Sequence, residues 1–459
     1  MQSYTVDVKA RQAAFPVTDL SETLQDAIAI TYSLGLEFIW IDAVCVPRGS
    51  WDAEAGSMHE VYGNAHFPLT SGNTAKATDR MLMEQDAWRD NVHGCRLHDP
   101  WILNTDMPLD EVRQRSPVAA RGWILQEERL SPRVLYWCAQ RAYWSCSECQ
   151  RIEAKQPGGI RPTENGTLGL SHPQKFIAVC RTGNSQLLQS EWAALVAAYV
   201  HRLLSGQGLD LVKNRFAALS GLSVRYLTSS SSAASRDEYL AGLWRKSIAR
   251  SLAWQVKTAA SPFDSLQHDI PSWTWMSLPL GAEMALSPNV EESSFFQLVT
   301  EPAVVEQWTD EDVVRNGARV TVLEVLARFR PFIGTFNAVR VPWDGIESDH
   351  HPGSFDFSLD PTCSMYARNA TGRILFYEPH KEEVVGQLDY FVADEVSCAT
   401  VEVGEGLERS LYCLEVGVQA MILVERMSME EDRFRRVGVS LGYRKDFFDD
   451  SEVRQLRLV

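Results

Sequence analysis

The order of hydrophobic patterns near the N-terminus most constrains the fold. Apolar residues recur at helical spacing over residues 19–35, with Asp19 as the predicted N-cap and Gly35 as the stop. The run "FIWIDAV" (38–44) is apolar without alternation, which is typical of a strand buried on both faces. Helical spacing returns over 51–64, and the extended segment "AHFPLTSG" follows. Helix, strand, helix and strand in this order predict an α/β layer with at least two parallel strands.

The rest of the chain divides into regions of different pattern. "RGWILQEERL" predicts a helix that Pro132 ends, and "VLYWC" and "AYWSC" predict a hairpin. Residues 155–174 are rich in Gly, Pro and Thr and form the predicted linker. Residues 186–256 are then mainly helical in pattern, with 237–254 as the last predicted helix, and short alternating runs begin at about residue 295. We predict three regions: an α/β domain in 1–154, a helical region in 175–290 and a β-rich region in 291–459.

The charge balance narrows the class of partner. The net charge is −16, which argues against a phosphate-neutralising surface for nucleic acid and against binding to anionic membranes. No run approaches 18 apolar residues and no signal peptide is visible, so no membrane span is expected. The nine cysteines are an odd number in a long chain, which predicts reduced thiols and a cytoplasmic location.

Two acids near the apolar run are candidate catalytic residues. Asp42 follows the predicted strand, and ligands bind at the carboxyl ends of strands in open α/β sheets. The alternative for Asp42 is a loop cap that accepts backbone hydrogen bonds. Glu54 lies in the first turn of the next predicted helix, where the helix dipole favours an acid without any catalytic role. Cys45 is a candidate ligand-binding residue, but a buried, inert thiol is the simpler interpretation.

A dense polar set within "RGWILQEERLSPR" gives four more candidates. Glu127 is a candidate catalytic acid or base, and Arg121, Gln126 and Arg133 are candidate ligand-binding residues. The alternative is an ion-pair network in which Arg133 pairs with Asp42, Glu54 or Glu127. Two patterns resemble metal motifs only in part: Cys146-x-x-Cys149 lacks a second pair, and His350-His351 lacks helical spacing. We therefore predict no metal site.

Three separated stretches carry a family resemblance. They are "FIWIDAVC" with "WDAEAGSMHEVYGNA", then "RGWILQEERLSPRVLYW" with Trp144 and Cys146, and finally "RFAALSGL", "YLAGLW" and "PSWTWMS". In this order they resemble the fungal heterokaryon-incompatibility (HET) domain family. The resemblance implies a fold similar to the Toll/interleukin-receptor (TIR) domain, a flavodoxin-like α/β sandwich. It also implies a role in non-self recognition and programmed cell death in filamentous fungi.

The chain departs from the family pattern at two places. It starts "MQSYTVDVKARQAAF" and lacks the Trp-Gly pair of the usual first strand, and Val46-Pro47-Arg48 stands where the family has a Gln shortly after the cysteine. Two function classes follow. The first is an incompatibility effector that acts through self-association or a protein partner. The second is an enzyme of the HET crevice, with a small-molecule ligand. It either cleaves NAD with Glu54 or Asp42 and an arginine on the phosphates, or serves secondary metabolism.

Overall fold

The computed structural model describes most of the N-terminal half and the strands of the C-terminal half. The described residues are 14–47, 54, 57–82, 108–138, 141–153, 160–162, 172–203, 212–229, 237–256, 270–278, 284–286, 290–300, 322–332, 334–342, 372–378, 383–388, 399–403, 411–427, 432–441 and 447–459. The chain divides into two compact units. Residues 1–184 and 217–229 form the first unit, and residues 185–216 and 230–459 form the second.

The α-helices of the described residues are short apart from two. They are α1 (Glu22–Ser33), α2 (Asp42–Cys45), α3 (Met58–Asn64), α4 (Leu109–Arg115), α5 (Gly122–Leu130), α6 (Lys175–Thr182), α7 (Ser185–Leu203), α8 (Val212–Ser229) and α9 (Ile248–Leu252). Short 3₁₀ turns occupy Val17–Asp19, Pro117–Ala120, Arg245–Ser247 and Trp275–Ser277. Across the part of the chain that is described, every helix is too short or too polar to span a lipid bilayer.

The first unit contains a mixed sheet. Its strands are β1 (Leu69–Ser71), β2 (Arg133–Trp137), β3 (Ala142–Cys146), β4 (Gln150–Glu153) and β5 (Ile160–Pro162), and they pair in this order. The β1–β2 pair is parallel, with Leu69 opposite Leu135, and the other pairs are antiparallel. The chain between β1 and β2 contains α4 and α5, so the pair is an α/β unit. The predicted mixed α/β region is confirmed, and so is the predicted β2–β3 hairpin.

A small apolar core joins this sheet to α4. It consists of six buried side chains: Leu109, Val112, Val134, Tyr136, Tyr143 and Ile152. Val134 and Tyr136 alternate with half-buried residues along β2, as do Tyr143 and Ser145 along β3. One face of the sheet is therefore buried against α4, as the period of two in a strand requires.

The strand predicted at "FIWIDAV" is wrong. Residues 36–41 form neither a helix nor a strand, and the side chain of Phe38 is 88% exposed. At Asp42 the chain turns into α2, because the N–H groups of Cys45 and Val46 donate to the carbonyls of Ile41 and Asp42. Apolar composition predicted burial here, but the backbone hydrogen bonds are made along the chain instead of across a sheet.

The second unit begins with a tryptophan-rich helical part. The rings of Trp192 on α7 and Trp244 lie 5.0 Å apart, edge to face. Trp244, Trp254, Trp273 and Trp275 are each at most 1% exposed, so their rings are part of the core of this unit. Four short strands accompany it: β6 (Tyr239–Leu240), β7 (Leu243–Trp244), β8 (Gln255–Val256) and β9 (Met284–Ala285).

The helix predicted over 237–254 is wrong in its first half. Ala241 and Gly242 have φ angles of 45° and 95°, and they form the turn of the β6–β7 hairpin. Two central residues with positive φ are typical of a tight two-residue hairpin turn, which interrupts any helix. Only Ile248–Leu252 of this stretch is α-helical.

The C-terminal part of the second unit is a large antiparallel sheet, which confirms the predicted β-rich region. Its strands are β10 (Gln297–Leu298), β11 (Leu323–Phe332), β12 (Gly334–Pro342), β13 (Gly372–Glu378), β14 (Glu383–Leu388), β15 (Ala399–Val403), β16 (Leu411–Gly417), β17 (Ala420–Arg426), β18 (Arg433–Leu441) and β19 (Glu452–Leu458). Strand β19 pairs with β11 and, in parallel, with β18, so β11, β16, β17, β18 and β19 close a ring. Phe329, Tyr412 and Phe434 pack together, with the first two rings stacked 4.8 Å apart.

Candidate functional site

A crevice of about 830 Å³ lies in the first unit. This volume is in the range of small-molecule sites. Its walls come from one face of α1, the segment 36–41 with Asp42, the segment from α3 to β1, and one face of α5. Its lining combines apolar side chains with a few ionisable ones, which are Glu37, Asp42, Glu60, Tyr62, His66, Arg121 and Glu127.

The helical spacing within α5 explains why two of the predicted site residues line the same crevice. Arg121 is the N-cap residue of α5, and Ile124 and Glu127 follow at intervals of three. Residues three apart lie on the same face of a helix, one turn above another. The sequence therefore presents Arg121 and Glu127 to the same cavity, with an apolar residue between them.

Asp42 reaches the same crevice from α2. It is the first residue of this four-residue helix, and its Oδ1 accepts a hydrogen bond of 2.6 Å from the N–H of Ala43. This is one backbone contact of the kind that the alternative interpretation predicts, and the carboxylate also lines the cavity. Of the predicted catalytic residues, the structure brings Asp42 and Glu127 together.

Glu127 is held in an unusual electrostatic setting. Glu127 is half-buried as a whole, but its carboxyl lies among the crevice walls. Burial raises the pKa of this carboxyl to about 7. The nearby Arg121 guanidinium opposes this rise in pKa, whereas the negative charge of Asp42 adds to it. A hydrogen bond from Tyr62 stabilises the carboxylate and so also opposes the rise. The carboxyl is therefore set to exchange a proton near neutral pH.

Tyr62 lines the crevice but is not among the candidate site residues predicted from the sequence. Burial raises the pKa of its hydroxyl well above the ordinary value, and the charges of Glu127 and Asp42 raise it further. The hydroxyl thus stays protonated and donates to Glu127. Its ring lies 6.0 Å from Trp40 at 79°, an edge-to-face contact within the crevice wall. The signal was available, since Tyr62 belongs to the "EVYGNA" stretch that carries the family resemblance.

The charge of the lining is negative. Among the described residues that line the crevice, four are acids and one is an arginine. An anionic ligand would meet Arg121 alone as a permanent cation, and it would be repelled by Glu37, Asp42 and Glu60. The crevice therefore suits a neutral or cationic ligand better than a multiply charged anion.

The other predicted site residues lie away from this lining. Gln126 is 1% exposed and its Oε1 accepts from the Gly221 N–H at 3.3 Å, while its Nε2 has no partner among the described residues. Arg133 begins β2 opposite Cys146. In the described ranges no ion pair joins Arg133 to Asp42, Glu54 or Glu127, so the predicted network is absent there.

Cys45 and Glu54 are the remaining site residues that were predicted from the sequence. Cys45 is exposed, which contradicts the interpretation of a buried thiol, and its Sγ accepts from the Ile41 N–H at 3.5 Å. It is exposed because the helical turn that replaces the predicted strand keeps it at the surface. Glu54 is helical and half-buried, and its carbonyl accepts from Ser57 Oγ at 3.0 Å. Neither side chain lines the crevice.

No group of three or more His, Cys, Asp or Glu side chains is arranged to hold a metal ion within the described ranges. Cys146 and Cys149 are close to each other, but no third ligand joins them there. His350 and His351 lie outside the described residues, as does most of the altered N-terminal segment.

The first unit is thus a mixed α/β domain with an acidic crevice walled by its first and fifth helices. Residues 2–127 match the model of the family described as heterokaryon incompatibility protein (HET). The HET resemblance seen in the sequence is therefore confirmed over this segment, which is just over a quarter of the chain. A search of curated proteins and a search of solved structures found no match.

Proposed function

We propose that this protein is an effector of the heterokaryon-incompatibility type, which acts in non-self recognition and programmed cell death through protein association. The match of residues 2–127 to the HET family is the observation that carries this proposal. The HET domain supports an incompatibility-type role in general. Association as the mode of action is the more specific part of the proposal.

An exposed apolar surface supports association. Tyr32, Leu34 and Phe38, here called the 32–38 surface, are 83%, 47% and 88% exposed within seven consecutive residues. Single exposed apolar residues are ordinary, but a cluster of large ones is typical of a protein–protein contact. The surface would be covered by an apolar face of a second copy or of another protein.

The test is expression in a filamentous fungus with cell viability as the readout. The wild-type protein is expected to kill or arrest cells, and a Tyr32→Ser/Phe38→Ser variant is expected to leave them healthy. Leu187→Ser is the matched control, because Leu187 is also an exposed apolar residue, at 49%, but lies in the second unit. Healthy cells with the wild-type protein would contradict the incompatibility role. Death with the double variant would contradict only the role of the 32–38 surface.

The crevice favours a second candidate function, an enzyme that uses Glu127 as general acid or base. A carboxyl whose pKa is about 7 is matched to proton transfer at neutral pH. Asp42 would be the second carboxyl of the site, and Tyr62 would hold the Glu127 carboxyl in place. The acidic lining favours a neutral or cationic small molecule as substrate. It therefore supports the secondary-metabolism version over NAD cleavage, since Arg133 is not in the crevice to bind a second phosphate.

Two measurements separate these versions. Incubation of the purified protein with NAD is expected to release no nicotinamide, and release would restore the NAD-cleaving version. A thermal-shift screen of neutral and cationic small molecules is expected to yield ligands whose stabilisation is lost in Glu127→Gln and Asp42→Asn. Glu54→Gln is the matched control, because Glu54 is an acid of the same domain that does not line the crevice. Stabilisation that survives in Glu127→Gln would contradict the enzyme proposal.

Three broader assignments are also proposals. The TIR-like fold is supported by the parallel β1–β2 pair and its helical connection. The three-part division at about residues 155–174 and 290 is supported by the change of pattern along the sequence. A cytoplasmic location is supported by the six free cysteines among the described residues.

A further inference from the structure

Two cysteines face each other across the turn between β3 and β4. Cys146 ends β3, Cys149 precedes β4, and both are free and partly exposed. Their sulfur atoms lie 3.7 Å apart. A disulfide has an S–S length of about 2.05 Å, so side-chain rotation has to bring the sulfurs less than about 2 Å closer.

The backbone already has a geometry that a disulfide accepts. The Cys146 N–H donates to the Cys149 carbonyl at 2.9 Å, and the next pair of the ladder is Ser145 with Gln150. Residues opposite each other in a hydrogen-bonded antiparallel pair have Cα atoms about 5.5 Å apart. This separation lies within the range of about 4.4–6.8 Å that disulfides span. The paired backbone of this turn is therefore compatible with a disulfide.

The surroundings of Cys146 favour its reactive form. Partial burial raises the pKa of the Cys146 thiol, but hydrogen bonds from the backbone at Glu148 and Cys149 outweigh this effect. The side chains of Cys149 and Trp144 also hydrogen-bond the sulfur, and the net result is a lowered pKa. Thiolate is the nucleophile in thiol–disulfide exchange, so these contacts activate Cys146.

Three other thiols of the described residues, those of Cys138, Cys180 and Cys413, have a setting that disfavours the thiolate or access to it. Burial raises the pKa of Cys138, in the same hairpin, to about 11. Cys180 and Cys413 are buried, and burial also raises the pKa of Cys413. Cys146 and Cys149 thus combine access, proximity and an activated sulfur.

We propose that Cys146 and Cys149 form a redox-active dithiol that is oxidised reversibly to a disulfide by a low-molecular-weight disulfide such as glutathione disulfide. The Cys146 thiolate attacks one sulfur of glutathione disulfide, which forms a mixed disulfide and releases one glutathione thiolate. Cys149 loses its proton and attacks the Cys146 sulfur, which forms the internal disulfide and releases the second glutathione. The protein loses two electrons and two protons, and glutathione disulfide gains them. This inference is independent of the function proposed for the crevice. In a reducing compartment such a bond would be transient, as redox-sensing disulfides are.

Trypsin provides a direct test on the full-length protein, because cleavage after Arg141 and Arg151 releases both cysteines on one peptide, "AYWSCSECQR". The protein is equilibrated in glutathione buffers of graded reduced-to-oxidised ratio, quenched in acid, alkylated with N-ethylmaleimide and digested. Mass spectrometry is expected to show the peptide losing both alkyl groups together and becoming two hydrogens lighter than the dithiol. Dithiothreitol should restore full alkylation. Cys138, on the neighbouring peptide "VLYWCAQR", is the internal control and should stay alkylated throughout.

Three outcomes would overturn the proposal: full alkylation at excess glutathione disulfide, glutathione adducts without the internal bond, or a cross-link between Cys146 and Cys138. Two variants test the order of attack. In the Cys149→Ser variant, Cys146 should form a stable mixed disulfide with glutathione. This reaction should be several-fold faster than the reaction of Cys149 with glutathione disulfide in the Cys146→Ser variant. Equal or reversed rates would show that Cys146 is not the attacking thiol.

Discussion

The Tyr62 hydroxyl donates a hydrogen bond to the carboxyl of Glu127, and both side chains line the crevice of the first unit. Burial raises the pKa of both groups, but with different results at neutral pH. The tyrosine is fixed in its neutral form and donates permanently. The glutamate, with a pKa of about 7, changes charge across the physiological range. Tyr62 is therefore a hydrogen-bond donor throughout the neutral pH range, while the charge of the Glu127 carboxyl changes near pH 7.

Tyr62→Phe is expected to raise the pKa of Glu127 above about 7, because the variant removes a hydrogen bond that stabilises the carboxylate. Carboxyl-selective carbon-13 NMR titration measures this pKa, and Glu127→Gln assigns the signal by its loss. Tyr32→Phe is the control, since Tyr32 is 83% exposed and does not line the crevice. An unchanged or lowered Glu127 pKa in Tyr62→Phe would show that the hydroxyl does not act on this carboxyl.

Glu127→Gln is expected to stabilise the protein more at pH 8 than at pH 5. The pKa of Glu127 is raised on folding, so the folded state binds its proton more tightly than the unfolded state. The free energy of unfolding therefore falls as the pH rises through about 7, and a neutral glutamine removes this loss. We expect a gain of about 1–3 kcal/mol at pH 8 and little change at pH 5. Thermal unfolding at the two pH values is the measurement, and an equal effect at both would contradict the raised pKa.

Local patterns of the sequence predicted the elements that depend on neighbouring residues. Helix α1 occupies Glu22–Ser33 inside the predicted 19–35, and Gly35 has the positive φ, 74°, of a helix stop. Only its start differs, since Ser21 is the N-cap residue and Asp19 lies in a 3₁₀ turn. The placement of Arg121 and Glu127 on one face, six residues apart with Ile124 midway, likewise follows from the helix alone. These features need no knowledge of distant contacts.

Features that depend on distant partners were not predicted. The apolar run at 38–41 pairs with no strand of the described residues, and composition does not reveal whether a pairing edge exists. Gln126 was expected to bind a ligand, but its Oε1 is occupied by the N–H of Gly221, 95 residues away. Glu127, one residue further, faces the crevice instead. The polar cluster was therefore found from sequence, while the direction of each side chain was decided by packing.

Gly221→Ala is expected to destabilise the protein although Gly221 lies inside α8. In an exposed helix interior, alanine is favoured over glycine by about 1 kcal/mol. Here a Cβ would lie 2.5 Å from the His59 Cβ and 3.1 Å from Leu130 Cδ1, so the packed side chains must shift. We expect a net loss of about 1–3 kcal/mol, as for other overpacked core sites.

Gly63→Ala is the matched control for this prediction. Gly63 is also helical, in α3, but its nearest atom to a new Cβ is the Leu130 carbonyl oxygen at 4.0 Å. This variant should be neutral or slightly stabilising, by up to about 1 kcal/mol. Urea unfolding compares the two, and equal effects would contradict the close packing of α8 against His59.

Asp26→Ala is expected to cost about 2–4 kcal/mol of stability, because it leaves buried donors without an acceptor. The Asp26 side chain accepts from the N–H groups of Met81 and Leu82 at 2.8 and 3.0 Å, and from Arg80 at 2.9 Å. Glu22→Ala is the control, since Glu22 pairs with the same arginine at 3.5 Å but is 51% exposed, and it should cost less than about 1 kcal/mol. Similar losses for both variants in urea unfolding would mean that the two backbone donors find water when Asp26 is removed.

Arg436→Lys is expected to destabilise the second unit by about 2–4 kcal/mol although the charge is kept. Arg436 is fully buried, its guanidinium lies 3.4 Å from the ring centre of Trp254, and it donates to the carbonyls of Leu252 and Trp254. A lysine ammonium lacks the planar fork that stacks on the indole while reaching both carbonyls.

Arg457→Lys is the control for this substitution. Arg457 lies on β19 of the same unit, and its ion pair with Glu324 is 53% exposed on the arginine side. The free energy of unfolding should change by less than about 1 kcal/mol in this variant. Thermal unfolding, followed by tryptophan fluorescence, measures the stability of both variants, and Trp254 lies in contact with Arg436. If the free energy of unfolding falls no further in Arg436→Lys than in Arg457→Lys, positive charge alone holds the two carbonyls. The planar stacking on Trp254 then contributes nothing to the fold.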